Sequence, residues 1–132
     1  GIANVVREGT DATIVSWGPA VADAILAAEA MKAQQGLAVE VIDLRSLVPL
    51  DLDTVLTSVR KTGRCVVAAQ CVLTGSFVNE VAARISDEAF DYLDGPVGRV
   101  GAKAGISPQA EGLERAFLPS AIDIAAALRQ LI

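Results

Sequence analysis

Residues 39–51, VEVIDLRSLVPLD, decide the fold of this 132-residue chain. Val39 to Leu44 is a short run rich in β-branched residues, which predicts a strand. Val48-Pro49-Leu50 forms a connector, and Asp51 is then placed to cap the start of a helix. Apolar residues recur at helical spacing along one face of that helix, at Leu52, Val55, Leu56 and Val59.

The same order of strand and helix precedes this segment. Thr13 to Trp17 predicts a strand that ends at Gly18-Pro19, and a proline suits the first turn of a helix. Gly36 is the expected C-terminal cap of that helix. Its apolar face consists of Val21, Ala24, Ile25, Ala28 and Met31.

Further strands and helices follow. Gly63 ends the helix that Asp51 begins, and Cys65 to Ala69 is apolar throughout, so we expect a central third strand. Residues 70–75 are then expected to form a loop before a helix with Phe77, Val81, Ala82 and Ile85 on one face. Val97 to Val100 is the expected fourth strand.

The last part of the chain predicts one more helix. After an irregular segment, Leu113 to Leu118 is expected to hold a short helical turn. Ser120 and Asp123 form a capping-box-like start to a helix over 121–131. Alternating strands and helices with short connections predict one domain over residues 1–132, a three-layer, doubly wound α/β fold with a mostly parallel sheet. Ligands of such sheets lie beyond the carboxyl ends of the strands.

Composition limits the function. The net charge of −5 argues against nucleic acids and anionic membranes as partners, because both require a basic face. No apolar run reaches the roughly 18 residues of a membrane span. The start at Gly1 carries no signal-peptide pattern and no Met, so we expect a fragment or a processed product.

No catalytic, cofactor-binding or metal-binding residue is expected. The sequence contains no histidine, the commonest general base and metal ligand. Cys65 and Cys71 are expected to be plain thiols of an intracellular protein. The carboxylates Asp87, Glu88, Asp91 and Asp94 lack the pattern of a calcium loop and predict a solvated surface.

Three motifs are interpreted as structural. Gly18-Pro19 and Thr74-Gly75-Ser76 each precede a predicted helix, but neither matches a phosphate-binding pattern. Lys61-Thr62-Gly63 repeats a short motif of penicillin-recognising enzymes by coincidence, because those enzymes need two separate lysines. Gly95, Gly98 and Gly101 flank and interrupt a strand rather than opening a helix, so turns or close backbone approach explain them better.

Taken in order, several segments resemble one family. These segments are similar to the C-terminal domain of transketolase-like thiamine-diphosphate enzymes. In chain order they are VVREGTDATIVSWG, VEVIDLRSLVPLD, VLTSVRKTGRCVVAAQ, TGSFVNEVAARI, AFDYLDGPVGRV and LERAFLPSAIDIAAALRQL. The most similar group is the beta subunit of 2-oxo acid dehydrogenases of the pyruvate, branched-chain or acetoin type. Departures from the family pattern are Gln70 in place of the usual Glu, Ala69 before it, Ser76 in place of a second glycine, and the segment GISPQAEG.

The resemblance implies a role in assembly. The intact enzymes use thiamine diphosphate and magnesium, which other domains bind, so this chain alone is expected to be inactive and to bind no cofactor. Its expected partners are the other domains or subunits of a dimer or heterotetramer and a lipoyl acyltransferase core, in the cytoplasm or the mitochondrial matrix. Family position and local apolar character give the candidate interface: Gln70, Thr74, Gly75, Ser76, Phe77, Phe117, Leu118 and Pro119.

Two alternatives stay open at this point. A flavodoxin-like domain that binds a nucleotide or flavin would share the fold and could use the two helix N-termini. A freestanding interaction module could use Phe117, Leu118 and Pro119 as an apolar face.

Overall fold

The computed structural model describes residues 1–102 and 119–132, which form five strands and four α-helices. The strands are β1 (Asn4–Arg7), β2 (Ala12–Ser16), β3 (Val39–Asp43), β4 (Cys65–Val72) and β5 (Gly98–Ala102). The helices are α1 (Ala20–Gln35), α2 (Leu52–Thr62), α3 (Phe77–Glu88) and α4 (Ala121–Leu131), and a 3₁₀ helix spans Phe90–Tyr92. The helical turn predicted at Leu113 to Leu118 lies outside the described residues.

The strands form one sheet in the order β1-β3-β2-β4-β5. All neighbours from β3 to β5 are parallel, which confirms the predicted sheet. Strand β1 pairs antiparallel with β3 and was not predicted. It is only four residues long, and Asn4, Val5 and Val6 are all exposed, so its sequence lacks the alternation that reveals a half-buried strand.

The helices cover both faces of this sheet. Strand β2 leads through α1 to β3 on one side, and the chain then returns through α2 to β4 on the other side of β2. Helices α1 and α4 pack against each other on one face, whereas α2 and α3 lie on the opposite face. The three-layer, doubly wound architecture is therefore confirmed.

Two aliphatic cores flank the sheet, and the central strands supply both. Ile14 and Val66 point into the core under α1 and α4. Their neighbours Val15 and Val67 point into the core under α2 and α3. All four side chains are fully buried. Successive side chains of a strand point to opposite faces, which explains why these strands are apolar at every position.

The predicted helix ends are confirmed. The side chain of Asp51 accepts a hydrogen bond from the backbone N–H of Thr54 at the start of α2. Gly36 and Gly63 end α1 and α2 in the left-handed conformation. Ser120 and Asp123 form a reciprocal capping box before α4. None of the helices within the described ranges is long and apolar enough to cross a membrane.

The ends of all four predicted strands need correction, since β2 ends at Ser16 rather than at Trp17, and β3 ends at Asp43 rather than at Leu44. Strand β4 continues to Val72, so Gln70 and Cys71 belong to the strand rather than to the predicted loop. Strand β5 runs from Gly98 to Ala102 instead of from Val97 to Val100. The reason is mutual pairing, because Val72 and Ala102 are register partners at the ends of the two strands.

Candidate functional site

The carboxyl ends of β2 and β4 lie side by side at the point where the strand order reverses. Strand β2 leads into Trp17 and Gly18, and β4 leads into the turn that begins α3. Such a switch point is the usual place for a binding site in an open α/β sheet. We call the residues at this edge the carboxyl-edge surface: Trp17, Gln70, Thr74, Gly75, Ser76 and Phe77.

A short hydrogen-bonded turn presents residues 74 and 75 to solvent. The N–H of Ser76 donates to the carbonyl of Leu73 at 3.0 Å, and the side-chain amide of Asn79 donates to the same carbonyl. Gly75 has a φ of 71°, a conformation that glycine adopts without strain. Thr74 and Gly75 are therefore held outward at the start of α3, and both are exposed.

An aromatic pair joins the two halves of the carboxyl-edge surface. The rings of Trp17 and Phe77 meet edge to face, with centroids 6.3 Å apart and planes at 86°. Both side chains are half-buried. Such a pair contributes about 0.5–1.5 kcal/mol beyond the area that it buries. It fixes the start of α3 against the end of β2 and leaves part of each ring available for contact.

Polar groups line the side of α3 next to this edge. Arg99 on β5 donates a hydrogen bond to the side-chain carbonyl of Asn79. A shallow cleft of about 600 Å³ is lined by Gly75, Ser76, Phe77, Asn79, Glu80 and Ala83. The edge thus offers aromatic, amide and hydroxyl groups, which suit contact with a protein surface.

The structure brings together five of the eight residues that the sequence predicted for an interface. Gln70, Thr74 and Gly75 are exposed, and Ser76 and Phe77 are half-buried. Pro119 is buried, so it has little surface to offer. The other two, Phe117 and Leu118, lie outside the described residues. The role of all eight in an interface stays a prediction.

Sequence reasoning missed a buried polar cluster between β2, β3 and α2. The hydroxyl of Thr13 lies 2.7 Å from the hydroxyls of both Ser58 and Thr62. Glu40 accepts a hydrogen bond from the N–H of Gly9 at 3.1 Å and pairs with Lys61 at 2.6 Å. The available signal was a glutamate inside an apolar strand, which has to find a partner when it is buried.

The charge of Glu40 is stabilised by its surroundings. Burial alone would raise the pKa of this carboxyl group, but hydrogen bonds from Lys61, Ser58 and the N–H of Gly9 outweigh burial and lower the pKa. Only 4% of the Glu40 side chain is exposed, compared with 46% for Lys61. The cluster attaches the β1–β2 connection and α2 to the sheet, and is therefore structural.

The chemically reactive groups of the described residues are sparse. Burial raises the pKa of the Cys65 thiol to about 12, which makes it unreactive. Cys71 is a free, half-buried thiol. Within 1–102 and 119–132, no group of three or more His, Cys, Asp and Glu side chains could hold a metal ion. As predicted, Asp87, Glu88, Asp91 and Asp94 are all exposed.

The fold defines a doubly wound α/β domain whose carboxyl edge carries the exposed and half-buried residues of the carboxyl-edge surface. The family described as "Transketolase, C-terminal domain" matches residues 1–124. The chain belongs to this family, so the resemblance inferred from its sequence is confirmed.

Curated relatives agree with this assignment. The "Pyruvate dehydrogenase E1 component subunit beta" of Rhizobium meliloti (strain 1021) is 42% identical over 98% of this chain and 28% of the relative. The subunit of the same name from Leifsonia xyli subsp. xyli is 47% identical over 90% of the chain and 35% of the relative. That from Bacillus subtilis (strain 168) is 36% identical over the whole chain and 40% of the relative. The chain thus spans well under half the length of these relatives.

A solved structure supports the fold. The chain described as "Split gene transketolase, inactive beta4 tetramer" superimposes with a TM-score of 0.80 and 28% sequence identity. The superposition covers 98% of this chain and 42% of the other. These comparisons do not favour the flavodoxin-like alternative.

Proposed function

We propose that this chain is the C-terminal domain of a thiamine-diphosphate-dependent enzyme, of the kind found in the beta subunits of 2-oxo acid dehydrogenases or in related transketolase-like proteins. The observation that carries this proposal is the family match over residues 1–124, combined with coverage of only 28–40% of the curated relatives. On this proposal the domain folds as one unit and belongs to a longer polypeptide. We also propose that the parent enzyme is located in the cytoplasm or the mitochondrial matrix.

We propose that the domain acts in the assembly of the parent enzyme and not in catalysis. The carboxyl-edge surface offers Trp17, Phe77 and exposed polar residues, which favour contact with other domains or subunits of a dimer or heterotetramer. Pairing with a lipoyl acyltransferase core is part of the same proposal. The split-gene transketolase with the same fold is a beta4 tetramer, which agrees with a role in assembly.

The side chains of the described residues bear on where thiamine diphosphate and magnesium bind. Magnesium is usually held by one or two carboxylates together with phosphate oxygens, and within 1–102 and 119–132 no group of three or more His, Cys, Asp and Glu side chains could hold a metal ion. The proposal therefore places the cofactor in other domains of the parent enzyme.

An activity assay tests whether the chain alone is catalytically inactive. The purified chain is mixed with a 2-oxo acid, thiamine diphosphate, magnesium and an artificial electron acceptor. We expect no turnover above the buffer rate, since the proposal places the thiamine-diphosphate site in other domains of the parent enzyme. Turnover that disappears with heat denaturation would contradict the proposal.

Affinity capture tests the role in assembly. The immobilised chain is expected to recover from a native extract either a subunit with the thiamine-diphosphate domains or a lipoyl acyltransferase, identified by mass spectrometry. Thr74→Arg places a bulky charge on the carboxyl-edge surface, and we expect it to reduce recovery. Thr57→Arg is the matched control, because Thr57 is equally an exposed threonine but lies on α2. Recovery of neither partner by a folded bait would contradict the proposal.

A further inference from the structure

The first residues of the chain lie at the carboxyl edge of the sheet. Strand β1 runs antiparallel to β3, and its first residue is the register partner of the last residue of β3. Gly1 therefore lies beside the connector that follows β3, and a Cβ atom at Gly1 would come within 2.6 Å of the Cβ of Ser46. The backbone N–H of Ala3 donates to the carboxylate of Asp51 at 2.9 Å, which attaches this segment to the far end of the same connector.

Two aliphatic side chains at this junction point into solvent. Ile2 is 80% exposed and Val48 is 85% exposed, the largest values of any large apolar side chain within 1–102 and 119–132. Their neighbours face inward, because Ala3 is buried and Leu47 packs against the core under α2 and α3. Pro49 is exposed beside Val48. We call Ile2, Val48 and Pro49 the entry patch.

Hydrogen bonds hold the connector in place. The N–H of Leu44 donates to the carbonyl of Ser16 at 2.9 Å, and the N–H of Ser46 donates to the carbonyl of Leu44 at 2.6 Å. Arg45 has a φ of 61°, a left-handed conformation that is uncommon for residues other than glycine. Its N–H donates to the carboxylate of Asp43 at 3.0 Å. The end of β2 and the end of β3 thus fix the backbone that presents the entry patch.

Covalent connection determines what reaches this patch. On the proposed function the chain is the C-terminal domain of a longer polypeptide, so the rest of the parent precedes Gly1. Successive Cα atoms are about 3.8 Å apart, so the residues that precede Gly1 have to pass beside Ser46. A domain tethered at this point has a high effective concentration at the entry patch. Neighbouring exposed apolar side chains mark sites of protein contact, and the tethered domain is the partner that lies closest to them.

We propose that the entry patch packs against the domain that precedes this one in the parent polypeptide. The contact buries Ile2 and Val48 and fixes the orientation of the two domains at the carboxyl edge of the sheet. The inference rests on the proposed function and deepens it, because it names the part of the parent enzyme that the domain contacts and the residues that make the contact.

Thiol labelling tests this contact directly. Val48→Cys is introduced both into the 132-residue chain and into the full parent polypeptide, and its reaction with a maleimide is followed by mass spectrometry of the peptide that contains it. We expect the thiol to react at least roughly tenfold more slowly in the parent, because a covered side chain is labelled only when the contact opens. Leu26→Cys is the control, since Leu26 is also an exposed apolar residue but lies on α1, on the face of the sheet opposite α2. It should react at the same rate in both proteins.

Charged variants give an independent measurement. Ile2→Glu and Val48→Glu should leave the unfolding midpoint of the 132-residue chain within about 2 °C of wild type, because both side chains are exposed there. In the parent, each should lower the midpoint of this domain by at least about 4 °C, because each places a charge in an apolar contact. An unchanged midpoint of the isolated chain also establishes that the variants are folded.

Equal labelling of Val48→Cys in the two proteins would overturn the inference, as would equal protection of the Leu26→Cys control. Charged variants that destabilise the parent no more than the isolated chain would also contradict it. The proposed function would fail separately. A parent polypeptide in which Val48→Cys is unprotected removes only this contact. An endogenous polypeptide of only 13.6 kDa contradicts the proposed function and this inference together.

Discussion

Gly9 marks the closest approach between the β1–β2 connection and the sheet. A Cβ atom at this position would lie 2.5 Å from the backbone of Val39 and Glu40. Real Cβ contacts do not come so close, so the backbone would have to move. The N–H of Gly9 also donates to the buried carboxylate of Glu40. One small residue thus permits the contact that attaches β1 to the rest of the fold.

Replacing Gly9 by alanine should lower the free energy of unfolding by about 1–3 kcal/mol, the usual cost of forcing extra atoms into a packed site. Urea unfolding of the variant measures this change. Gly95→Ala is the matched control, since nothing lies within 4 Å of a Cβ at Gly95. If both variants unfold at the same urea concentration as wild type, the close approach at Gly9 is wrong.

The Glu40 carboxylate should make stability depend on pH. Its pKa is lower in the folded chain than its usual value of 4.5. A group with a depressed folded pKa stabilises the fold above its unfolded pKa, and that contribution is lost as the pH falls through the folded pKa. Stability should therefore decrease as the pH drops below about 4.5.

Glu40→Gln should destabilise the chain by about 1–3 kcal/mol at pH 7, because it removes a buried hydrogen-bonded charge. The difference from wild type should shrink as the pH falls below 4.5. Unfolding measured by denaturant at several pH values would show this, with exposed Glu80→Gln as control. A difference that stays constant down to about pH 3, well below the ordinary range of a glutamate, would contradict the account of this ion pair.

At the scale of elements, the helix ends show what the sequence predicts well. Asp51, Gly36 and Gly63 act on backbone groups within a few residues of themselves, so local sequence identifies them. The apolar central strands are equally clear, because they are buried on both faces.

Other features depend on contacts that are distant in sequence. Strand β1 exists because it pairs with β3, and β4 reaches Val72 because β5 continues alongside it. The partner of Lys61 is Glu40, 21 residues earlier. The contact of Trp17 with Phe77 joins two turns that only the sheet order brings together. In none of these cases does the neighbouring sequence identify the pairing partner.

The two N-cap residues of α2 and α3 should respond differently to mutation. Asp51 accepts hydrogen bonds from the backbone of Thr54 and from the N–H of Ala3. Asp51→Ala should therefore cost about 1–2 kcal/mol. Ser76 makes no side-chain capping bond and its buried hydroxyl has no partner among the described residues, so Ser76→Ala should not lower the stability of the chain. Thermal unfolding of both variants checks this; equal losses would contradict the assigned caps.

At the scale of the whole molecule, the described residues form a domain that packing and a few buried hydrogen bonds hold together. Its sheet is covered on both faces by helices, and its buried polar groups fix elements to one another. The carboxyl-edge surface lies where β2 and β4 end on this scaffold.

The central claim is that the chain acts as one domain of a larger thiamine-diphosphate enzyme. The most direct test is the mass of the endogenous polypeptide that carries this sequence, measured by immunoblot of a cell extract under denaturing conditions. The account predicts a single band well above 13.6 kDa, the mass of these 132 residues. A band at 13.6 kDa would contradict it and would show that the domain exists as a separate polypeptide.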